Sequence, residues 1–448
     1  MQQPQNDSSR IVIHKILLIG NKKTKDKIIL RELDFNEGDT LRAQDISGII
    51  TKNRNRIFNT NLFITVDLIL IDRSPGIKDL FIHLQERWYI YPIPIFELAD
   101  RNFNEWWKER NRDPKRINLG IFYTQRNMRG RNETFKAKAQ LGFTKKFELF
   151  YIIPYLTKNQ KAGLSFDISY IINKQIPYKT SQHKLIYFDG DRYIRHKFRT
   201  GFLLSYRNKF YQTHYTGLSF NHHSISDTIT KLNPEYLLDG QTSQRYLSLR
   251  YAFVKDTRDI SYYPLKGSYF KAEVEKLGLG IFNDINQINF IGEYAIFRSV
   301  AKKLYFAGGI RQKISFPYKQ PYLNVRALGY DKDYVSGYEL YVIDGQHFSL
   351  LKLNLKWQIY SSKKDVNAVP VDEFGTIPFA IYLRMYSDAG YVADNSYNPE
   401  NKRLTDEYLW GGGAGIDFAS YYDLVFRLEY SINRMGEHGF FLHFRSAI

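Results

Sequence analysis

Cysteine is missing from all 448 residues of the chain, which excludes disulfides, thiolate metal sites and an N-terminal lipid-anchoring cysteine in the sequence as it stands. Long apolar runs are missing as well. No window approaches the ~18 consecutive uncharged apolar residues of a transmembrane helix, so none is expected. The opening residues, Met1 to Arg10, carry neither the basic nor the apolar region of a signal peptide, and an exported form is expected to have a processed start. Catalytic patterns are equally scarce. The adjacent His222 and His223 lack any accompanying ligand spacing and read as a surface loop, and no Gly-x-Ser-x-Gly occurs. With no catalytic residue, metal or cofactor to assign, the chain is expected not to be an enzyme.

Aromatics, by contrast, are plentiful. Tyr and Phe number 35 and 32, and aromatics make up 16% of the chain, yet the mean hydropathy is −0.43. A transmembrane β-barrel produces that combination, because its strands alternate lipid-facing apolar residues with lumen-facing polar ones and carry aromatic girdles at both interfaces. A secreted soluble β-protein fits the average hydropathy equally well, so the motifs must decide. Charge is strongly positive, with 64 Lys and Arg against 46 Asp and Glu, a formal +18. Such a field attracts anionic lipid headgroups and lipopolysaccharide phosphates. The basic residues are spread over polar strand faces and loops and form no single patch, which argues against nucleic acid.

Three regions follow from the patterning. Residues 1–9 read as a flexible segment. Residues 10–86 read as a small α+β domain in the order strand, helix, helix, strand, strand. Ile11 to Ile19 is β-rich and stops at Gly20-Asn21. Thr24 is placed to cap a helix from Asp26 to Leu33, whose Ile28, Ile29 and Leu33 recur at helical spacing. A second helix is expected from Ala43, with Ile46, Ile49, Ile50 and Ile57 on its inner stripe. Two hairpin strands, Thr65–Ile71 and Lys78–Gln85, turn at Ser74-Pro75-Gly76. The prolines of Trp88-Tyr89-Ile90-Tyr91-Pro92-Ile93-Pro94 read as an extended linker, leading to Trp106-Trp107 either at a membrane interface or against the small domain.

Residues 87–448 alternate. Phe135, Ala137, Ala139, Leu141 and Phe143 fall on one face, with Lys136, Lys138 and Gln140 on the other. Leu351, Leu353, Leu355 and Trp357 alternate with Lys352, Asn354 and Lys356, and Leu424, Phe426, Leu428 and Tyr430 alternate with Arg427 and Glu429. A Lys or Arg facing lipid at the midplane costs about 2–4 kcal/mol, so these charges are expected to face a polar lumen. Gly411-Gly412-Gly413-Ala414-Gly415 lacks the Gly-Lys-Ser/Thr ending of a phosphate loop. In its alternating context the glycines relieve barrel curvature or give room to packed aromatics. Periodicity alone accepts 14, 16 or 18 strands.

Several motifs lie in a telling order. Gly20-Asn21 follows the first strand of the small domain, Phe35-x-x-Gly38 its first helix, and Asn61-Leu62-Phe63-x-x-Val66 enters its second strand; this spacing resembles a POTRA domain. Asn127-Met128-Arg129-Gly130-Arg131-Asn132-Glu133 and Asp256-Thr257-Arg258-Asp259 with Pro264 and Gly267 read as tight turns between strands. Tyr334-Val335-Ser336-Gly337-Tyr338 is followed by Tyr386-Ser387-Asp388-Ala389-Gly390. Together they resemble the BamA-type family of outer-membrane assembly and translocation barrels, whose marks are a V-R-G-[YF] loop tip and an aromatic-x-D-x-G strand.

The resemblance implies a membrane all-β fold, a 16-stranded antiparallel transmembrane β-barrel behind one POTRA domain in the periplasm of a diderm bacterium. It also implies a loop near residues 321–348 folded into the lumen, whose arginine pairs with a wall carboxylate. Here Ser336 stands where that arginine is expected and Asp388 keeps the acidic position. Either lumen water solvates Asp388 or another cation, with Arg326 nearest in sequence, replaces the missing one; a differently built anchor is expected. The terminal strand, with Phe440, Leu442 and Phe444 in alternation, is expected to meet Arg131–Phe143, including Phe135 and Leu141, at a lateral seam. The implied role is to capture unfolded outer-membrane β-barrel clients and insert them at that seam, with outer-membrane lipids including lipopolysaccharide, and accessory envelope proteins, as further partners. A translocation pore for one dedicated polypeptide and a structural barrel within a larger envelope complex are the alternatives.

Overall fold

Two principal sheets organise the chain, one of four strands and one of sixteen. The computed structural model describes residues 10–98, 103–189, 192–282, 285–365, 376–395, 398–420 and 424–446. Residues 1–9 lie outside them.

The small N-terminal domain runs β1 (Arg10–Ile19), α1 (Asp26–Leu30), β2 (Thr40–Arg42), α2 (Ile46–Phe58), β3 (Phe63–Ser74) and β4 (Ile77–Glu86). Its sheet has the order β2-β1-β4-β3, with β1 parallel to β4 and β3 antiparallel to it. Both helices cover one face. Ile13, Ile28, Ile29, Ile57, Leu62, Phe63, Val66, Leu80 and Ile82 are fully buried between helices and sheet, each contributing about 1.5–3 kcal/mol of hydrophobic stabilisation. Ile46, Ile49 and Ile50 flank this core, half-buried. The first helix is shorter than its apolar spacing predicts, because Arg31 to Leu33 close as a turn that still buries Leu33. Thr24 does not cap it: Lys25 precedes the helix, and the Thr24 hydroxyl donates to Glu86 at 2.5 Å.

The second sheet begins at once. β5 (Ile90–Leu98) is its first strand and α3 (Phe103–Glu109) follows. Then come β6 (Ile117–Met128), β7 (Glu133–Gly142), β8 (Thr144–Ile153) and β9 (Ala162–Asn173), a separate hairpin β10 (Gln175–Ser181) and β11 (Lys184–Asp189), and β12 (Arg195–Lys209), β13 (Gln212–Ile225), α4 (Asp227–Leu232), β14 (Ser243–Asp256), β15 (Gly267–Leu277), β16 (Gln287–Ala301) and β17 (Leu304–Phe316). A loop carries the short pair β18 (Arg326–Leu328) and β19 (Ile343–Asp344), and the chain ends with β20 (His347–Asp365), β21 (Thr376–Ala393), β22 (Tyr408–Ala419), β23 (Leu424–Asn433) and β24 (His438–Ser446). Leaving out the two short hairpins, consecutive strands from β5 to β24 pair antiparallel in chain order.

Alternation along these strands divides the sheet into an apolar outer face and a polar inner one. Leu119, Ile121, Leu141, Leu149, Phe202, Leu204, Trp357 and Met385 are exposed, while Asn118, Gln140, Asn221, Ser248, Asn289, Asp417 and Glu429 are buried within. So extensive an apolar belt is far beyond what a water-facing surface carries, and is what hydrocarbon requires.

The reading of Trp88–Pro94 as a linker is corrected. Those prolines sit in an edge strand, one of the few sheet positions where a missing N–H leaves no ladder bond unmade. In consequence Trp106 and Trp107 lie on α3, beyond the far end of β5, and not beside the N-terminal domain.

Candidate functional site: an inward loop and two open edges

Residues 317–346 join β17 to β20 and fold into the lumen. Along β20 the inner face changes from Lys356, Asn354 and Lys352 to the apolar Leu350 and Phe348, and there the loop docks. Ala327, Leu328, Val335, Tyr338 and Ile343 pack with Phe348, Leu350, Val392, Leu404 and Leu409.

The loop tip is fixed to one carboxylate. Ser336 donates to Asp388 Oδ2 twice, from its N–H at 3.2 Å and its hydroxyl at 2.7 Å, and Lys352 Nζ reaches the same oxygen at 3.2 Å. Lys352 and Asp388 are direct cross-strand neighbours on β20 and β21, and the ammonium also lies 4.2 Å from the centre of the Tyr334 ring. Asp388 is 2% exposed, so these donors replace water as its solvation. The cation beside Asp388 is therefore Lys352. Arg326 sits elsewhere, opposite Asp344 in the loop's own hairpin and 5.1 Å from the centre of the Tyr330 ring.

Glycines make this approach possible. A Cβ on Gly411 would lie 1.7 Å from the Ser336 carbonyl oxygen, and one on Gly390 would lie 2.5 Å from Val335 Cγ2. The Gly337 carbonyl, meanwhile, accepts from Asn433 Nδ2 at 2.8 Å. Of the glycine run near residue 411, then, the first member admits the loop backbone. At Gly413 a Cβ would meet the Tyr430 carbonyl oxygen at 2.0 Å and the Tyr386 hydroxyl at 2.7 Å, so this glycine admits the neighbouring strand's backbone first and the aromatic second.

Around the tip, the inner wall of the last strands carries paired charges. Arg427 donates to both Asp417 oxygens at 2.8 and 3.1 Å, Arg384 to Glu429, and His443 Nε2 lies 2.9 Å from Glu429. Tyr334 stacks on His443 with ring centres 5.3 Å apart. Glu339, Glu429 and His443 form the one group of potential metal ligands among the described residues. Glu429 is already matched by Arg384 and His443, an arrangement suited to structural pairing.

At the far end, the β10–β11 turn clasps two loops. The His183 carbonyl accepts from Val342 N–H at 2.8 Å, its N–H donates to Asn401 at 2.9 Å, and its Nε2 accepts from Leu404 N–H at 2.9 Å. Burial pulls the His183 pKa down to about 4, Arg403 adding to the effect, so the ring is neutral.

At the opposite end, the N-terminal domain is docked on the strand turns. Arg207 donates to both oxygens of Glu32 at 2.7 and 2.8 Å, Arg56 lies 3.7 Å from the centre of the Phe210 ring, Lys25 N–H donates to the Gly130 carbonyl at 3.0 Å, and Asn127 Nδ2 donates to Thr24 Oγ1 at 2.8 Å. The turn motif between β14 and β15 belongs to this contact. Arg258 forks onto Asp256 at 2.8 and 2.6 Å, and Asp259 accepts from Ile260 and Leu265 N–H at 2.9 and 3.1 Å, while its carbonyl accepts from Asn59. Pro264 is half-buried within the turn, and Gly267 closes it with φ +101°. Tyr263 reaches across the lumen to donate to Asp417 at 2.9 Å.

The seam lies one hairpin earlier than the alternation suggests. Phe135 and Leu141 are on β7, which is paired on both sides, by β6 and β8. The open edges are β5 and β24, which share no ladder among the described residues. Phe440 and Leu442 are on β24, Phe440 67% exposed; Phe444 continues the strand opposite Phe426. α3 packs against β24.

Sequence reasoning placed Lys352, Arg427 and Glu429 on the inner face without pairing them, and it did not single out Arg384, Asp417 or His443. Nor did it single out Glu32 and Arg207. His222 and His223 lie within β13 and not in a surface loop: His222 bonds Ser243, and the buried His223 stacks on Tyr246 with ring centres 6.0 Å apart.

Comparisons with known proteins agree with this architecture. Residues 127–348 match the Omp85 superfamily domain, and residues 11–87 match the POTRA family described as surface antigen variable number repeat. The chain is similar in structure to BamA from Haemophilus ducreyi lacking POTRA domains 1–3, with TM-score 0.54, 14% identity, and coverage of 97% of this chain and 84% of that one. It is also similar to CdiB from Escherichia coli, with TM-score 0.58, 11% identity, and coverage of 97% and 76%. No curated protein matches.

Proposed function

The chain carries one POTRA domain followed by an Omp85 superfamily domain and is an outer-membrane β-barrel, and from that premise we propose that it is an assembly factor that inserts other outer-membrane β-barrel proteins. The POTRA domain lies on the periplasmic side and receives unfolded clients along its sheet edge. Insertion then occurs at the gap between β5 and β24. No catalytic step is required: burial of the client's apolar strand faces in lipid and completion of its backbone hydrogen bonds supply the driving force.

The observation that carries this reading is the contrast between lumen and wall. The loop held at Asp388 occupies part of the lumen, with the POTRA domain docked against the strand turns below. The wall, in contrast, lacks a ladder at one junction among the described residues. A strand-shaped client fits the wall gap better than a polypeptide fits a lumen that the loop enters, and this favours insertion over the translocation pore. Depletion in the native host followed by quantitative outer-membrane proteomics tests the proposal. Loss of many unrelated β-barrels is expected. Loss of one exported protein alone would favour the pore, and loss of one complex alone would favour a structural barrel.

A further inference from the structure

The two open edges are chemically unequal, and backbone parity shows how. In an antiparallel pair, alternate residues direct both N–H and C=O to the same neighbour. Arg126 N–H donates to the Tyr89 carbonyl at 2.7 Å, and the β5–β6 register runs without a bulge from Ile90↔Gln125 to Leu98↔Ile117. Odd-numbered residues of β5 therefore bond β6, and even-numbered ones face the gap. Those are Ile90, Pro92, Pro94, Phe96 and Leu98. Two successive gap-facing positions are prolines and have no N–H to give. The Ile90 carbonyl is already engaged by the Trp88 indole N–H.

β24 is the opposite case. Asn433 N–H donates to the Glu437 carbonyl at 2.9 Å, and the β23–β24 register is unbroken from Ile432↔His438 to Leu424↔Ser446. Odd-numbered residues bond β23, so His438, Phe440, Leu442, Phe444 and Ser446 direct N–H and C=O to the gap. None is proline. The edge presents a full alternation of donors and acceptors, with the side chain of Phe440 largely exposed beside it.

We propose that β24 is the strand-accepting edge of this barrel, that its occupant is an extended, alternately apolar strand of an unfolded β-barrel client, and that Pro92 and Pro94 make β5 an edge that neither captures the client nor zips the barrel shut. Self-closure, with β5 antiparallel to β24, would leave β24 carbonyls opposite prolines and without donors. A client strand supplies every donor that β5 lacks. The occupant must also be apolar on the lipid side, because it would lie next to Phe440 and Leu442 on the outer face. The inference rests on the insertion reading given above.

The absence of native cysteine allows a direct test. Single cysteines are placed on β24 (Phe440→Cys, Leu442→Cys) and on β5 (Ile93→Cys, Ile95→Cys) in the full chain in proteoliposomes. A urea-unfolded eight-stranded β-barrel protein, with one cysteine scanned along its terminal strands, is added under mild oxidation. Adducts on β24 at least tenfold above those on β5 are expected. Adducts mainly on β5 would overturn the inference and leave the insertion reading standing, whereas no adduct on either strand, with client folding no faster than in empty liposomes, would overturn both. In Pro92→Val/Pro94→Val, cysteine pairs scanned across β5 and β24 should cross-link at least severalfold more, with a matching fall in client adducts on β24. Unchanged pairing in that variant would also overturn the inference.

Discussion

Replacing Asp388 by Ala removes one acceptor and strands three donors. The strongest bond lost is that of the Ser336 hydroxyl, at 2.7 Å to a carboxylate that is 2% exposed; a hydrogen bond to a charged group contributes about 1.5–3 kcal/mol. Lys352 adds less. Its side chain is 26% exposed and lies beside the Tyr334 ring, so its ion pair with Asp388 belongs with partly exposed pairs and contributes under about 1 kcal/mol. Together the loss is about 2–4 kcal/mol for release of the loop tip. At about 1.4 kcal/mol per tenfold, local opening becomes roughly 30- to 700-fold more frequent. Amide hydrogen exchange at Ser336 and Gly337 reads this directly, and the heat-modifiability of the folded barrel should shift down with it. Asp388→Asn retains an acceptor and should lose about half as much. Exchange at Ser336 within twofold of the unmodified protein in Asp388→Ala, with unchanged heat-modifiability, would refute the claim that this carboxylate holds the loop.

Three further outcomes follow from contacts already described. Gly411→Ala forces a Cβ against the Ser336 carbonyl and should displace the loop at a cost of about 1–3 kcal/mol, seen as new protease cleavage within residues 317–346 while the strands stay protected. Arg207→Ala leaves Glu32 buried without its fork partner. The contact should weaken by about 2–3 kcal/mol, at the low side of a broken buried pair because Arg207 is itself 23% exposed. Spin-label distances between POTRA domain and barrel should broaden without change in the POTRA domain's own melting. For His183, the folded pKa of about 4 lies below the ordinary value of 6.5, so the clasp is fully stable above pH 6.5 and weakens as pH falls toward 4; loop 394–407 should become protease-sensitive over that window, and no change between pH 7 and pH 4 would contradict it.

Much of the fold was legible because it depends on periods that a sequence carries openly. The inward parity of Lys352, Arg427 and Glu429 was readable from their apolar neighbours, and the POTRA spacing from Gly20, Phe35 and Asn61. What parity cannot supply is register. Lys352 and Asp388 are both inward from sequence, but their meeting depends on the length of the connection between β20 and β21. The same holds for Arg207 and Glu32, which belong to different domains. Pro92 and Pro94 misled in a different way. Proline penalises a central strand and is tolerated at an edge, so the same residues that argue against a strand mark its position once the sheet order is known. Thr24 shows the limit of local rules: a good capping residue instead donates to Glu86 of its own domain and accepts from Asn127 across the domain contact.

The unequal edges also predict which side of the gap moves. On the β24 side, side-chain pairs on the inner face cross the strand ladders: Asp417 on β22 with Arg427 on β23, Arg384 on β21 with Glu429 on β23, and Glu429 with His443 on β24. Asp417 and Glu429 are 0% and 1% exposed, and separating either from its partners would leave a buried charge unmatched at about 3–5 kcal/mol. Strands β21 to β24 are therefore coupled and should shift as one body. On the other side, besides its ladder with β6, the ion pair from β5 to the wall among the described residues is Glu97 to Lys138, with Glu97 54% exposed and a contribution under about 1 kcal/mol. Widening of the gap should thus come from β5 and β6 bending away. Spin labels on outward positions of β5 and β8 should show broad distance distributions, while labels on β22 and β24 stay narrow. The reverse pattern would mean that the charge network does not stiffen the wall it lines.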